Sequence, residues 1–265
     1  MNNNWKLTDT HLHMTHWDQF SLRAGFSIRS GGVSKPPFEE MNVGIHVNDR
    51  TEDVLENRER FANIIGKPLS SWRCMNQVHS TTVLKVPELD ESDLDHQSPQ
   101  VNADGLITNN PEDVLITYYA DCVPLYFIAP NSKWIGLAHA GWKGTVNGIA
   151  KEMVSALTNE NIPIEEIQVA IGPCISKSNY EVDDVVKDQI PTRFHQKVIT
   201  SLTNNKYLLD LKALNQAYLI EAGISEDYIY TNPYCTYEEE NLFFSHRRDQ
   251  GKTGRMLAYL TLSGE

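Results

Sequence analysis

Three short segments of this 265-residue chain carry side chains that bind soft metal ions. They read Asn76-Gln77-Val78-His79, Ala120-Asp121-Cys122-Val123-Pro124 and Ala138-His139-Ala140-Gly141-Trp142-Lys143-Gly144. Each sets an imidazole or thiol at the end of an expected strand, beside residues that let backbones approach closely. Zinc takes Cys sulfur and His nitrogen readily, and catalytic zinc sites use three protein ligands while leaving a fourth position open. His79, Cys122 and His139 would make such a site. Each also has a plainer reading: His79 as a hydrogen-bonded histidine at a strand end, Cys122 as a buried thiol, and His139 as a helix cap. Asp121, beside Cys122, is placed to orient a ligand or a water, and Asp104 is a second choice for that role. Either carboxylate could instead satisfy backbone donors in a turn. The catalytic set read from the sequence is therefore Cys122, His139 and Asp121.

An anion site is expected close by. Gly141 and Gly144 flank Trp142-Lys143 just ahead of an apolar helical pattern. A glycine turn entering a helix presents free N–H groups and the positive end of the helix dipole, and Lys143 adds a charge there. The alternative is a tight strand-to-helix turn with Lys143 in solvent. Further substrate contacts are expected from Arg29, Asn42, His46, Arg58, Arg247 and Arg248. The bland counterparts are surface or structural arginines and a packed turn around Asn42 and His46.

Taken together the segments resemble the laccase-domain family of zinc-dependent purine nucleoside phosphorylases, formerly described as multicopper polyphenol oxidoreductases. The resemblance rests on Gly25-Phe26-Ser27 through Arg29-Ser30-Gly31-Gly32-Val33-Ser34, Met41-Asn42-Val43-Gly44 with His46-Val47, Asn57-Arg58, Gln77-Val78-His79, Ala103-Asp104-Gly105-Leu106, and the Cys122 and His139 segments. It continues through Ile171-Gly172-Pro173, Tyr180-Glu181-Val182, Cys235-Thr236-Tyr237, Phe244-Ser245-His246-Arg247-Arg248-Asp249 and Thr253-Gly254-Arg255. The combination of ADCVP and HAGWKG is highly specific, and the match covers almost the whole chain. It implies that His79, Cys122 and His139 are the metal ligands, with no departure at any of them. Lys143 stands where many relatives carry Arg, and Lys lacks the bidentate geometry of a guanidinium. The implied activity is phosphorolysis of adenosine, inosine and S-methyl-5′-thioadenosine to the free base and a ribose 1-phosphate, with adenosine deaminase activity beside it. Zinc lowers the pKa of a bound water toward neutrality, and water attack at C6 of adenine releases ammonia.

Three readings compete. Copper also accepts His and Cys ligands, but multicopper chemistry needs several metals, and His11, His13 and His16 form the only tight histidine group. A metal-free hydrolase would use Cys122 as nucleophile and His139 or His79 as base. A binding protein stapled by zinc would need a fourth protein ligand, Cys74 or another His.

The elements that must position these residues are legible as periodicity. Helices are expected over 51–66, with Thr51 as N-cap and Gly66 as stop, over 145–157, and over 211–222 behind Asp210. Strands are expected at 22–28, 71–78, 82–86, 114–119, 123–128, 134–139, 167–171 and 255–262. Several are continuous apolar runs, which implies burial on both faces. The class expected is α+β, a layered sandwich with mixed sheets, as one domain over 1–265. The stretch 88–102, with Glu88, Asp90, Glu91, Asp93 and Asp95, reads as a polar surface excursion.

Composition bounds the partners. Hydrophobic residues make up 40% and charged residues 22%, ordinary for a globular chain. A net charge of −12 repels nucleic acid and anionic membranes, so the expected partners are a nucleoside and phosphate, in a monomer or small homo-oligomer. The four cysteines are too sparse for a disulfide scaffold. The polar N-terminus lacks the apolar stretch of a signal peptide. The longest apolar stretch, 114–129, is interrupted by Asp121 and Pro124, short of a membrane span. A cytoplasmic location is expected.

Overall fold

The most apolar runs build the centre of the molecule. In Val114–Tyr119, Val123–Ala129 and Trp134–Ala140 every residue is buried, so these strands are covered on both faces, as their continuous hydrophobicity predicts. A computed structural model describes residues 4–262; the ends of the expected 1–265 span, residues 1–3 and 263–265, lie outside the described residues.

Two six-stranded sheets and one three-stranded sheet form. The first runs, edge to edge, Trp5–Leu7, His11–Met14, Leu22–Ser27, Met256–Leu262, Val114–Tyr119 and Trp72–Arg73. The second runs Ile229–Thr231, Gln168–Ile171, Val123–Ala129, Trp134–Ala140, Gly105–Thr108 and Val83–Lys85. Both are mixed: Trp72–Arg73 pairs parallel to Val114–Tyr119, whereas Met256–Leu262 pairs antiparallel to it. The expected α+β class with mixed sheets is what the chain adopts.

Alternation along one strand explains the layering. Leu115 and Tyr119 point into a core shared with Tyr126, Ile128, Ile135 and Leu137 of the second sheet. Val114, Ile116 and Tyr118 point the other way, onto Phe61, Ala62 and Ile65 of the helix Thr51–Ile65. The second sheet's outer face packs Val123, Leu125 and Phe127 against Ile149, Met153 and Leu157, and against Leu211, Leu214 and Tyr218. The result is helix, sheet, sheet, helix, with successive side chains of each central strand serving opposite cores. Each fully buried aliphatic side chain contributes about 1.5–3 kcal/mol. Among the described residues no helix is long and apolar enough to cross a membrane.

The structure corrects several expectations. Thr51 is the first helical residue and Arg50 the N-cap, while Gly66 does end the helix, at φ 75°. The segment 145–157 is two helices, Trp142–Val146 and Ile149–Asn159, because Gly148 turns left-handed at φ 88° and breaks the ladder. The strand expected at 71–78 stops after Trp72–Arg73: the Cys74 N–H donates to the Leu94 carbonyl, and Asn76 bridges to Asn102. The stretch 88–102 is a mostly exposed surface excursion, as expected. Within it only Leu94 and His96 are buried, which pins the stretch so that 96–100 line the site's pocket.

Candidate metal centre and its pocket

His79, Cys122 and His139 converge. Their donor atoms all lie within 4.8 Å of one another, and no fourth His, Cys, Asp or Glu joins them among the described residues. His139 sits inside Trp134–Ala140 and is 4% exposed. Cys122 occupies the turn between Val114–Tyr119 and Val123–Ala129, half-buried, and His79 is exposed at the rim. The trio thus grades from floor to mouth of a pocket of about 990 Å³.

One carboxylate builds most of this geometry. Asp104 is fully buried, and its Oδ1 lies 2.8 Å from His139 Nδ1. A proton on Nδ1 donated to that carboxylate leaves Nε2 as the free lone pair, the arrangement that orients metal-binding histidines. Asp104 Oδ2 accepts from the Val78 N–H at 3.2 Å, the Ser80 N–H at 2.6 Å and the Ser80 hydroxyl at 2.9 Å. Because the amides on both sides of His79 turn to the same oxygen, His79 itself bulges outward, at φ 60°. A non-glycine residue held left-handed costs about 1–3 kcal/mol and persists only where its surroundings enforce it. Gln77 anchors the same loop, its amide bonding the Tyr118 carbonyl at 2.9 Å and the Tyr118 N–H at 2.7 Å.

Gly141 is required by close approach. A Cβ there would lie 2.2 Å from His79 Nδ1 and 3.3 Å from Cys122 Sγ. No side chain fits between the strand end and His79 and Cys122.

Electrostatics prepare the histidines differently. Burial disfavours a charge on His139, but the Cys122 sulfur and Asp104 outweigh it and push its pKa up to about 9. Burial and the charge of His139 hold His79 below its ordinary value. An incoming cation would displace one proton from His139 and find His79 neutral.

Asp121 lines the pocket but makes no hydrogen bond to the trio. Its carboxylate is filled by the Thr236 hydroxyl at 2.7 Å, the Ser245 hydroxyl at 3.0 Å and the Arg247 N–H at 2.7 Å. It ties together the loops that carry Cys122 and Arg247, and the orienting role falls to Asp104.

The expected substrate contacts divide. His46, Arg58 and Arg247 line the pocket. Arg58 is buried, donates to the Val43 carbonyl at 2.9 Å and to the His96 carbonyl, and stacks 4.8 Å over Tyr118. Arg29 and Arg248 line a separate cleft instead. They are drawn there by the carbonyls of Glu39 and Glu240 for Arg29, and by those of Thr236, Tyr237 and Phe243, with Asp249, for Arg248. Asn42 is fully buried and spent on a turn, donating to Asp49 and accepting from Gly44 and Arg255. Lys143 is exposed, 5.7 Å over the Trp142 ring, and does not line the pocket. The helix it sits in is five residues long, too short to carry the dipole the sequence suggested.

Sequence reasoning missed Arg255, His96, Gln97 and Gln100, which also line the pocket. Only the Thr253-Gly254-Arg255 segment gave any signal. His11, His13 and His16 do not converge on a metal: they bond to Thr8 and Thr10, to Asp18 and to Tyr230. Cys74 is buried 3.5 Å from the Tyr118 hydroxyl and takes no part in the trio.

Residues 23–263 match the family described as multi-copper polyphenol oxidoreductase laccase. Purine nucleoside phosphorylase YlmD of Geobacillus stearothermophilus is 44% identical over 243 residues, 89% of each chain. Purine nucleoside phosphorylase YlmD of Bacillus subtilis is 41% identical over 254 residues, 93% of this chain and 90% of that one. The crystal structure of Bacillus licheniformis hypothetical protein YfiH superposes with a TM-score of 0.92 at 38% identity, covering 98% of this chain and 99% of that one.

Proposed function

This chain belongs to the family described as multi-copper polyphenol oxidoreductase laccase, and on that premise we propose that it is a zinc-dependent purine nucleoside phosphorylase. The observation that carries the reading is a three-donor His–Cys–His cluster opening on a pocket of about 990 Å³, in a chain whose close relatives bear that enzyme's name. The substrates proposed are adenosine, inosine and S-methyl-5′-thioadenosine, with hydrolytic deamination of adenosine as a side activity and the cytoplasm as its location. One sulfur and two imidazole donors fit zinc, and a divalent ion held by His79, Cys122 and His139 would supply Lewis acidity to a bound substrate.

The chain's own residues supply the rest. Tyr180 and Trp142, half-buried on the pocket wall, offer ring faces to a purine. Arg58 and Arg247 bring positive charge for phosphate. In the reaction an oxygen of hydrogen phosphate attacks C1′, the C1′–N9 bond breaks, and its electron pair stays on N9. The proton carried in by phosphate leaves on the base, so the products are base and ribose 1-phosphate with no net gain or loss. Asp104 keeps His139 in one tautomer throughout. Asp121 fixes the Arg247 backbone relative to Cys122.

The test is to incubate purified protein with inosine and phosphate. Phosphate-dependent release of hypoxanthine and ribose 1-phosphate is expected. No release from protein of confirmed metal content rejects the reading. Equally fast alkylation of Cys122 with and without a chelator would favour the metal-free hydrolase, and copper in place of zinc on elemental analysis would favour the oxidoreductase.

A further inference from the structure

Arginine pairing in this chain follows a pattern with one exception. Of ten arginines, all within the described residues, six have a carboxylate within 4.0 Å: Arg29, Arg50, Arg60, Arg73, Arg193 and Arg248. Four have none among the described residues, and three of those four, Arg58, Arg247 and Arg255, line the metal pocket. In a chain of net charge −12, acids are plentiful, so three uncompensated guanidiniums lining one pocket mark a place where an anion is brought by a ligand. Their own contacts are neutral. Arg58 is held by two carbonyls and the Tyr118 ring; Arg247 donates to the Glu181 carbonyl at 2.7 Å and lies 4.8 Å over Tyr180.

Arg255 is the most prepared of the three. Its Nη1 donates to the carbonyls of Thr253 at 3.0 Å and Gly254 at 2.9 Å, while Nε and Nη2 have no partner among the described residues. Those two groups form one face of the fork that pairs bidentately with a phosphate. Its backbone is clamped on both sides: the N–H donates to Asn42 Oδ1 at 2.8 Å, and the carbonyl accepts from Val43 at 3.1 Å. The side-chain stem runs over Gly44, where a Cβ would lie 2.6 Å from Arg255 Cγ. Asn42 and Gly44 therefore act through Arg255 as positioning residues. Arg255 lines the same pocket as His79, Cys122 and His139.

We infer that Arg255, backed by Arg247 and Arg58, is the anion subsite of this pocket and that it takes inorganic phosphate. The identity of the anion rests on the phosphorolysis proposed above; the subsite itself rests on the unpaired guanidiniums.

The experiment uses metal-loaded full-length protein and inorganic phosphate as probe, first alone by calorimetry and then with inosine under steady-state conditions. Arg255→Gln is expected to weaken phosphate binding and raise KM for phosphate on the order of 10–100-fold. KM for inosine should stay within about threefold and metal content should be unchanged. Arg255→Lys, which keeps charge and stem, should fall between, and serves if the glutamine variant does not fold. Arg50→Gln, a surface change, should match wild type. Wild-type phosphate affinity in Arg255→Gln, or phosphate binding lost in Cys122→Ala but kept in Arg255→Gln, would overturn the subsite. Arg255-dependent phosphate binding without nucleoside cleavage upholds the subsite and rejects phosphorolysis. Cleavage with an unchanged phosphate KM in Arg255→Gln rejects the subsite alone.

Discussion

Replacing Asp104 by Asn changes one atom and tests the positioning of two ligands at once. The carboxylate accepts from His139 Nδ1 through Oδ1 and from three donors around His79 through Oδ2. An Asn has one acceptor and one donor end. With its oxygen toward His139, its NH₂ faces the Val78 amide and the Ser80 amide and hydroxyl, and the His79 bulge loses its anchor. With the amide flipped, the NH₂ faces Nδ1 and drives the ring proton onto Nε2, which then cannot bind metal. Loss of such an outer-shell partner costs about 10–100-fold in metal affinity, ~1.4–2.7 kcal/mol. Competition with a chromogenic chelator measures it. At pH 7 part of the deficit is hidden, because without Asp104 a competing proton on His139 is held less tightly. The deficit is therefore predicted to be larger at pH 9 than at pH 7. Affinity within twofold of wild type at both pH values would refute the role given to Asp104.

Other outcomes follow from the same geometry. Gly141→Ala should lose most of its metal, since the new Cβ would lie 2.2 Å from His79 Nδ1; elemental analysis of the purified variant checks this. Cys122→Ala and His139→Ala should lose metal and nucleoside cleavage together, and metal retained in both would show that other residues bind it. In the metal-free protein the His139 pKa is raised to about 9, so metal uptake at pH 7 should release a proton from it. Apparent affinity should then fall about tenfold per pH unit below pH 9, read from calorimetry in buffers of different ionisation heat. The His139 contribution to metal-free stability is complete below pH 6.5 and is lost as pH rises through about 9. His11 and His46, lowered to about 4 mainly by burial, act in the opposite direction: thermal stability should drop as pH falls from 6.5 toward 4.

Much of this architecture is legible in local sequence. The central strands are long apolar runs, and burial on both faces follows directly. The candidate ligands announce themselves by type, but their convergence depends on strand order, which no local pattern contains; the resemblance implied it. Asp104 was a second choice because its partners lie 24 to 35 positions away. The acidic segment 88–102 is on the surface as its charge density implies, but that density says nothing about Leu94 and His96, which turn inward. Gly148 was overlooked because the apolar spacing continues across it while the backbone does not. Arg29 and Arg248 flank the right segments, but their guanidiniums are taken by carbonyls around another cleft. Arg255 reads as the start of a strand, and the role proposed for it rests on its unpaired guanidinium edge and its place in the pocket.

Diffraction data collected on both sides of the zinc absorption edge show whether His79, Cys122 and His139 share one zinc ion. One anomalous peak is expected, bonded at about 2.3 Å to Cys122 and about 2.0–2.1 Å to His79 and His139, with its remaining position facing the pocket. A peak located elsewhere, or one closed off by a fourth protein side chain, would contradict that arrangement.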